Sequence, residues 1–417
     1  MEVPLAIGYI SLLFIIGSFI AKIAERIGIP DIPLLLLTGL IIGPVFGIIP
    51  TNYAQLLFSF VGTIGLIIVL LVGAFEMRWI VLKRVLSTVL KLDTVALVIS
   101  LLVSGFIFNL VYGIPFVCPI GYVFGAVNCS TDPATLIPVF SNSDIDPKIA
   151  VTLEAESVFN DPLGIVATSL SLSTLGLSKS LNPFIDFITL SFGGILLGLF
   201  GGKLFEIIVS KEEFGEYIAP FGVGAAMAIW YIGEEIFPTF FGHGLSGYMA
   251  IAIMGIYIGN VLTKKPNKSK EMHKMAEFCT DLSSLTRILI FVFLGASISM
   301  SLLKGFGLFG LLCAVGSVFI ARPLGVFIAT AIPPVNSLKE RIYFALEGPR
   351  GVVPAALAAM IYSEIMANPD AIPVSVSNYM PPETIAGSIL VATFLTIFLS
   401  VVVEASWAYP LANKLFK

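Results

Sequence analysis

The sequence predicts an all-α membrane protein that crosses the bilayer thirteen times, and three observations support this fold class. Hydrophobic residues make up 57% of the 417 residues, charged residues make up 12%, and the mean hydropathy is +1.00. A soluble domain would carry roughly twice that charged fraction. The apolar residues form runs of membrane-spanning length, and the basic residues between the runs alternate from one side to the other.

Thirteen apolar segments are each long enough to cross, or nearly cross, a hydrocarbon layer of about 30 Å. They are 4–24, 30–49, 54–77, 92–113, 119–140, 149–175, 184–209, 217–237, 243–262, 279–300, 305–333, 340–363 and 383–413. No basic stretch precedes the first segment, so we expect no cleaved signal peptide. We expect a cytoplasmic loop in the basic link 263–278 and an irregular outer link at 364–382, which is rich in proline.

Lys and Arg residues lie mainly on one side of the predicted bundle. The links after odd-numbered segments, together with the C-terminus, hold 18 of the 23, and the opposite side holds Lys179 and Lys304. Cytoplasmic loops of membrane proteins carry the excess of Lys and Arg. The sequence therefore predicts a multi-pass protein of the cell membrane, with its N-terminus outside and its C-terminus in the cytoplasm.

Two segments contain helix-breaking residues at mid-membrane. The fifth contains Pro133, after Ser-Thr-Asp, and the twelfth contains Glu-Gly-Pro-Arg-Gly at 347–351, followed by Pro354. Proline lacks the N–H group that a helix interior needs. Interrupted segments at matching positions of two halves indicate the binding site of a transporter. The alternative is that these are ordinary prolines in tolerant helices.

The two interruptions also predict an inverted repeat within a single membrane domain, 1–417. Segments five and twelve are seven apart, an odd number, so the halves that contain them face opposite ways in the membrane. The repeats would be 4–175 and 217–413, and segment 184–209 would connect them.

A cluster of polar side chains lies inside the sixth segment. Glu154, Glu156, Asn160 and Asp161 fall within eight residues, and Asp132 lies in the segment before. A charged group at the centre of a bilayer costs about 2.5–3.5 kcal/mol on insertion scales. These acids therefore need partners, water or a bound cation, and the pattern indicates a cation site.

Helical spacing separates these side chains into two stripes. At about 100° per residue, Glu154, Ser157 and Asp161 fall within about 40° of one another. Glu156 and Asn160 share a neighbouring stripe. We assign the Asp161 stripe to the ion and the Glu156 stripe to structure.

Two arginines inside apolar segments need counter-charges. Arg322 needs a buried anion, and Glu156 is the candidate. Arg350 and Asp132 lie in the two interrupted segments and have the signs needed to offset the ends of half-helices. Other readings stay open for three acids. Asp161 could be paired with an arginine, Glu154 could lie in a water-filled funnel, and Glu76 could be interfacial.

Composition and motifs weigh against other classes of function. The four cysteines are scattered and there are two histidines, so neither a disulfide framework nor a soft-metal site is indicated. A cation channel would also use intramembrane acids, but it gains nothing from two interrupted segments. An intramembrane aspartyl protease could use Asp132 and Asp161, although neither lies in the Gly-x-Gly-Asp context that those proteases share.

An ordered set of motifs resembles the monovalent cation/proton antiporters of the NhaP and sodium–hydrogen exchanger branch. The motifs cover almost the whole chain: Thr131-Asp132-Pro133, Glu-Ser-x-x-Asn-Asp-Pro with Asn160-Asp161, Phe293-Leu294-Gly295, Ala321-Arg322-Pro323 and Gly348-Pro349-Arg350-Gly351. Pro349 departs from the residue usual in animal exchangers. The ending at Lys417, without a large cytosolic tail, is similar to archaeal NhaP proteins.

This resemblance implies a fold and an activity. The fold would be a thirteen-helix homodimer, in which a six-helix core moves against a dimer domain. The activity would be exchange of Na⁺, and also Li⁺, for H⁺ by a transporter that is not an enzyme. The resemblance implies no cofactor, and we expect no nucleic-acid partner.

The resemblance also implies roles for individual residues. Asp161 would bind Na⁺ or H⁺ in turn. The cation site would comprise Asp161, Asp132, Ser157, the backbone carbonyl of Thr131, Glu76 and Asn160. Asn160 stands where electrogenic relatives carry a second aspartate, which implies electroneutral exchange of one cation for one proton. The structural charge network would comprise Glu156, Arg322, Arg350 and Glu154.

Overall fold

The computed structural model describes residues 3–132, 146–177 and 182–416, without the side chains of residues 3, 183 and 184. Regular structure in these ranges is helical throughout, with no strand. Apart from short turns, it comprises α1 Val3–Ile27, α2 Asp31–Val45, α3 Thr51–Glu76, α4 Trp79–Val111, α5 Pro119–Val127, α6 Pro147–Thr174, α7 Pro183–Lys211, α8 218–241, α9 Gly247–Val261, α10 Pro266–Ser297, α11 Met300–Ala331, α12 Leu338–Leu346, α13 Val352–Ala367 and α14 Pro382–Phe416.

Seven of these helices are long and apolar enough to cross a membrane: α1, α3, α4, α7, α10, α11 and α14. Large apolar side chains on their outer faces are exposed, such as Phe19, Phe60 and Phe200. Such faces suit a hydrocarbon solvent. The all-helical fold class is therefore confirmed.

Two helices begin well before the predicted segments. α4 begins at Trp79 rather than at residue 92, and α10 begins at Pro266, so the predicted loop 263–278 is mostly helical. The reason is amphipathicity. In α10, Met272 and Met275 are buried while Lys274 is exposed. Charges on one face lower the mean hydropathy of a window without preventing a helix.

The predicted interruption of the twelfth segment is confirmed. α12 ends at Leu346, α13 begins at Val352, and residues 347–351 are not helical. Pro354 lies in the first turn of α13, where an N–H has no intrahelical partner in any case. In the fifth segment α5 ends at Val127, while Pro133 and the rest of the predicted segment to residue 140 lie outside the described residues.

The helices pack as two groups around the interrupted segments. α3 packs against α9 and α10, with α7 and α2 beyond them, while α5 packs against α4 and α6, and α14 packs against α11 and α13. Contact between α3 and α13 joins the groups. Small residues allow close approach, since a Cβ at Gly259 of α9 would overlap the backbone of Phe75 in α3.

Candidate cation site

A cavity of about 450 Å³ lies between the two groups of helices. It is lined by the end of α3, the start of α4, one face of α6, Ser283 of α10 and Val352 of α13. Of the residues that the structure describes, the acidic side chains lining it are Glu76, Asp132, Glu154 and Asp161, and the basic one is Arg78. Four carboxyl groups against one guanidinium make a site that attracts cations.

Three polar side chains on one face of α6 line the cavity and differ in how deeply they are buried. The Asp146 side chain accepts a hydrogen bond from the N–H of Lys148 and caps the helix start. Glu154, Ser157 and Asp161 then fall on the face that lines the cavity. Asp161 is 8% exposed, whereas Glu154 is half-buried, so Asp161 is the more deeply enclosed carboxyl group.

The inner end of the cavity combines several oxygen groups. Ser157 and Asp132 line the cavity together with Asp161, so a hydroxyl group and a second carboxyl group lie in the same part of it. Pro162, inside α6, has no N–H to donate to the carbonyl of Val158, and the residue Val158 lines the cavity.

Asn160 holds the extended segment after α5. Its Oδ1 accepts from the backbone N–H of Thr131 at 3.2 Å, and its Nδ2 donates to Thr131 Oγ1 at 2.8 Å. Neither residue lines the cavity. Asn160, predicted among the residues of the cation site, is thus engaged with Thr131 through both polar atoms of its amide.

The two interrupted segments cross beside the cavity. The backbone N–H of Asp132 donates to the carbonyl of Pro349 at 2.7 Å. A Cβ at Gly351 would overlap the carboxylate of Asp132, so the absence of a side chain allows this approach. The crossing thus connects the α12–α13 break with a carboxyl group that lines the cavity.

Side chains satisfy the backbone groups that the break exposes. The N–H of Gly348 donates to Glu404 Oε2 at 2.6 Å, and the N–H of Arg350 donates to Ser400 Oγ at 3.0 Å. Both acceptors lie on α14. Arg322 of α11 donates to the carbonyl of Glu347 at 3.2 Å. Non-helical backbone is tolerated at membrane depth where it is enclosed by protein in this way.

Glu156 and Arg322 form a bidentate ion pair behind the cavity. Nη1 of the arginine donates to Oε1, and Nη2 donates to Oε2 at 3.1 Å. Both side chains are 5% exposed or less. The predicted contact between these two residues, 166 positions apart, is therefore confirmed.

Three further buried acids were missed by sequence analysis. Asp93, Glu347 and Glu404 are each 3% exposed or less and lie around the Glu156–Arg322 pair. Each is an ionisable residue within or next to an apolar run, and such residues indicate functional positions by default. That signal was present in the sequence.

The link between α3 and α4 is tied to α9 at the rim of the cavity. Asn260 Oδ1 accepts from the N–H of Trp79 at 2.8 Å, and its Nδ2 donates to the carbonyl of Met77 at 2.8 Å. Arg78 donates to the carbonyl of Gly259 at 3.2 Å. These bonds fix the positions of Glu76 and Arg78 at the edge of the cavity. Sequence analysis did not identify this contact between α9 and the α3–α4 link.

This donor set suits a small hard cation. Carboxylate, hydroxyl and carbonyl oxygens are the ligands such ions take in proteins. Among the described residues, no histidine or cysteine lines the cavity.

Comparison with known proteins gives consistent results over the full length. The sodium/hydrogen exchanger, transmembrane, family matches residues 11–414. The chain is 57% identical over 417 residues to the "probable Na(+)/H(+) antiporter 2" of Methanocaldococcus jannaschii, covering 100% of this chain and 99% of that protein. It is 54% identical to "Na(+)/H(+) antiporter 1" of the same organism, covering 100% and 97%.

A solved structure has the same fold. The sodium proton antiporter MjNhaP1 from Methanocaldococcus jannaschii at pH 8 superimposes with a TM-score of 0.96 at 54% identity, covering 100% of both chains. The helices and the crossing segments described above therefore belong to a known architecture.

Proposed function

The chain belongs to the sodium/hydrogen exchanger family, and we propose that it exchanges Na⁺ for H⁺ by letting the two ions compete for Asp161. It is a multi-pass membrane antiporter and not an enzyme. The observation that carries the assignment to Asp161 is its position as the enclosed carboxyl group of the cavity, 8% exposed, with Ser157 and Asp132 lining the same cavity.

The remaining ligands follow from what surrounds Asp161. We infer that Ser157 and Asp132 complete the inner site, with Glu76 as a further ligand. We also propose the carbonyl of Thr131, the residue next to Asp132, as a ligand, although Thr131 does not line the described cavity. Asn160 supports Thr131 rather than binding the ion, because both polar atoms of its amide are engaged. Glu154 lies on the wall of the cavity and attracts cations toward the site.

Competition at one carboxyl group produces obligatory exchange. Na⁺ or H⁺ each neutralises Asp161, whereas an empty carboxylate is costly to move through an apolar barrier. The helix group that contains α6 therefore crosses loaded and stalls empty. We infer that the described cavity opens to the cytoplasm, because Arg78 at its rim lies on the side rich in Lys and Arg.

Several features of the architecture are part of this proposal. Thirteen spans are supported by α1 to α14, with α12 and α13 sharing one span. The inverted repeats 4–175 and 217–413 are supported by the breaks after α5 and α12. The homodimer and the outer position of the N-terminus rest on the family resemblance and on the distribution of basic residues.

Electroneutral exchange of one cation for one proton, with Li⁺ accepted beside Na⁺, is also proposed. Asn160 is uncharged, so Asp161 is the one residue of the pair Asn160-Asp161 whose charge changes when Na⁺ or H⁺ binds. Fluxes in proteoliposomes should then be the same with and without an imposed membrane potential. A rate that follows the potential would contradict the 1:1 ratio.

The decisive experiment replaces the carboxyl group of Asp161 by an amide. In proteoliposomes with a trapped pH dye, Asp161→Asn should lose Na⁺-driven proton movement completely, because the amide can neither release a proton nor bind Na⁺ as an anion. Asp281→Asn is the matched control, since Asp281 is an exposed aspartate on α10 outside the cavity, and it should transport normally.

Three results would contradict the proposal. Asp161→Asn protein that still exchanged Na⁺ for H⁺ would remove Asp161 from the mechanism. Wild-type protein in detergent that bound Na⁺ without releasing protons would rule out competition. Flux that neither saturated nor dissipated a pH gradient would favour a cation channel.

A further inference from the structure

Six buried ionisable side chains surround the break between α12 and α13. Four are acids and two are arginines, and all are 4% exposed or less: Asp93, Glu156, Glu347, Glu404, Arg322 and Arg350. Counted as fully ionised, this group carries two negative charges in excess. It lies behind the cavity and includes no residue that lines it.

Both arginines bond to groups other than the Glu347 carboxyl group, although Nε of each and Nη2 of Arg350 have no partner among the described residues. Arg322 holds Glu156 with both terminal nitrogens and donates to the Glu347 backbone carbonyl. Arg350 donates through Nη1 to the carbonyl of Gly348 at 2.5 Å, and Glu404 is the acid that most strongly attracts it. Glu404 also accepts the N–H of Gly348. Glu156 and Glu404 therefore each have a cationic neighbour and a hydrogen-bond donor.

Glu347 has neither. It is 0% exposed, and both of its carboxyl oxygens lack a hydrogen-bond donor among the described residues. The charged and titratable groups facing it are Arg322 from α11, Glu404 from α14 and Tyr343 from α12. Trp407 of α14 is also near, but its indole N–H donates to the Leu346 carbonyl at 3.2 Å.

An unpaired carboxylate in such a place is disfavoured because burial removes the water that stabilises its charge. A nearby carboxyl group, Glu404, adds repulsion. The neutral acid avoids both costs. The same reasoning applies to Asp93, whose carboxyl oxygens also lack donors within the described ranges, and the two neutral acids bring the group to zero net charge.

We propose that Glu347 is a second proton-binding site, which holds its proton throughout the transport cycle and does not release it in exchange. The segment between α12 and α13 can then move during transport without the negative charge of an ionised Glu347. This site is independent of Asp161, so the proposal stands or falls separately from the assignment of the transport site.

Amide substitution distinguishes a neutral acid from an ionised one. Glu347→Gln replaces a protonated carboxyl group by a neutral group of the same shape, so exchange rates within about twofold of wild type and an unchanged thermal midpoint are expected. Glu156→Gln is the matched control, because there the amide removes the ionised partner of Arg322. Its thermal midpoint should fall clearly.

Infrared spectroscopy provides a direct measurement. At about pH 8, well above the usual glutamic acid pKa of about 4.3, wild-type protein should show a protonated-carboxyl band that Glu347→Gln lacks. ¹³C labelling of glutamate should shift that band in wild-type protein. A Glu347→Gln protein that misfolds, or loses as much stability as Glu156→Gln, would overturn the proposal, as would identical protonated-carboxyl bands in both proteins.

Discussion

At the scale of single residues, the molecule separates carboxyl groups that line the cavity from those that take part in buried ion pairs. Asp161 lines a cavity, whereas Glu156, five residues earlier on the same helix, is turned toward Arg322. The difference arises from helix geometry alone, because five residues along a helix turn the side chain by about 140°. One helix can therefore serve both purposes.

The first prediction concerns the Glu156–Arg322 pair. Glu156→Gln or Arg322→Met should each cost about 3–5 kcal/mol of stability, because the partner is left as an unpaired buried charge. The double variant should cost much less than the sum. Thermal unfolding in detergent measures each value, and the exposed pair Lys22–Glu25 provides the control, where Glu25→Gln should cost about 0–1 kcal/mol.

A change in cation selectivity would contradict a purely structural role for the Glu156–Arg322 pair. The ratio of Na⁺ to Li⁺ half-saturation should be unchanged in any single variant that can be reconstituted. Variants that were stable but altered in Na⁺ affinity would place Glu156 in the binding site.

At the scale of elements, the crossing of the two interrupted segments explains why small and conformationally unusual residues are concentrated there. The segment 128–132 and the segment 347–351 approach so closely that the carboxylate of Asp132 occupies the space of a Cβ at Gly351. A backbone hydrogen bond between Asp132 and Pro349 fixes their register. The position of Asp132, a proposed ion ligand, thus depends on the other half of the chain.

The second prediction follows from that contact. Gly351→Ala should displace Asp132 and reduce the rate of Na⁺/H⁺ exchange at least about tenfold, equivalent to about 1.4 kcal/mol. Gly305→Ala is the control, because a Cβ at Gly305 of α11 meets no atom within 4 Å. It should be neutral or stabilising by up to about 1 kcal/mol. Gly351→Ala protein with wild-type exchange and Na⁺ affinity would show that the contact is dispensable.

Sequence patterns predicted the elements better than their ends. The α12–α13 break was predictable because Gly-Pro-Arg-Gly at 348–351 cannot continue a helix. The starts of α4 and α10 were not predictable from hydropathy, because their first turns are amphipathic and a hydropathy window averages both faces. Helix starts of that kind depend on what the apolar face packs against, which lies elsewhere in the chain.

The same limit applies to the site. Spacing along one helix placed Glu154, Ser157 and Asp161 together, since local geometry is fixed. The engagement of Asn160 with Thr131 and the clamp formed by Asn260 join residues 29 and about 180 positions apart. No local pattern specifies such contacts, and only the packed helices bring the groups within hydrogen-bonding distance.

At the scale of the whole molecule, the proposed mechanism requires that opposite ends of the interrupted segments face opposite compartments. The charge pattern assigns the link between α11 and α12 to the cytoplasm and the link between α13 and α14 to the outside. Each link offers one exposed valine, Val335 at 62% and Val374 at 72% exposure. The four natural cysteines are all buried, so an introduced cysteine can be labelled against a low background.

The last prediction uses this pair. Val374→Cys should react with a membrane-impermeant maleimide on intact cells, and Val335→Cys should react on inside-out vesicles, with the wild-type protein as the unlabelled control. Both variants should keep exchange activity, because neither residue lines the cavity. If both cysteines reacted from one side, residues 336–373 would cross the membrane an even number of times. The α12–α13 pair would then be a re-entrant hairpin rather than one interrupted span, and the inverted repeat would be wrong.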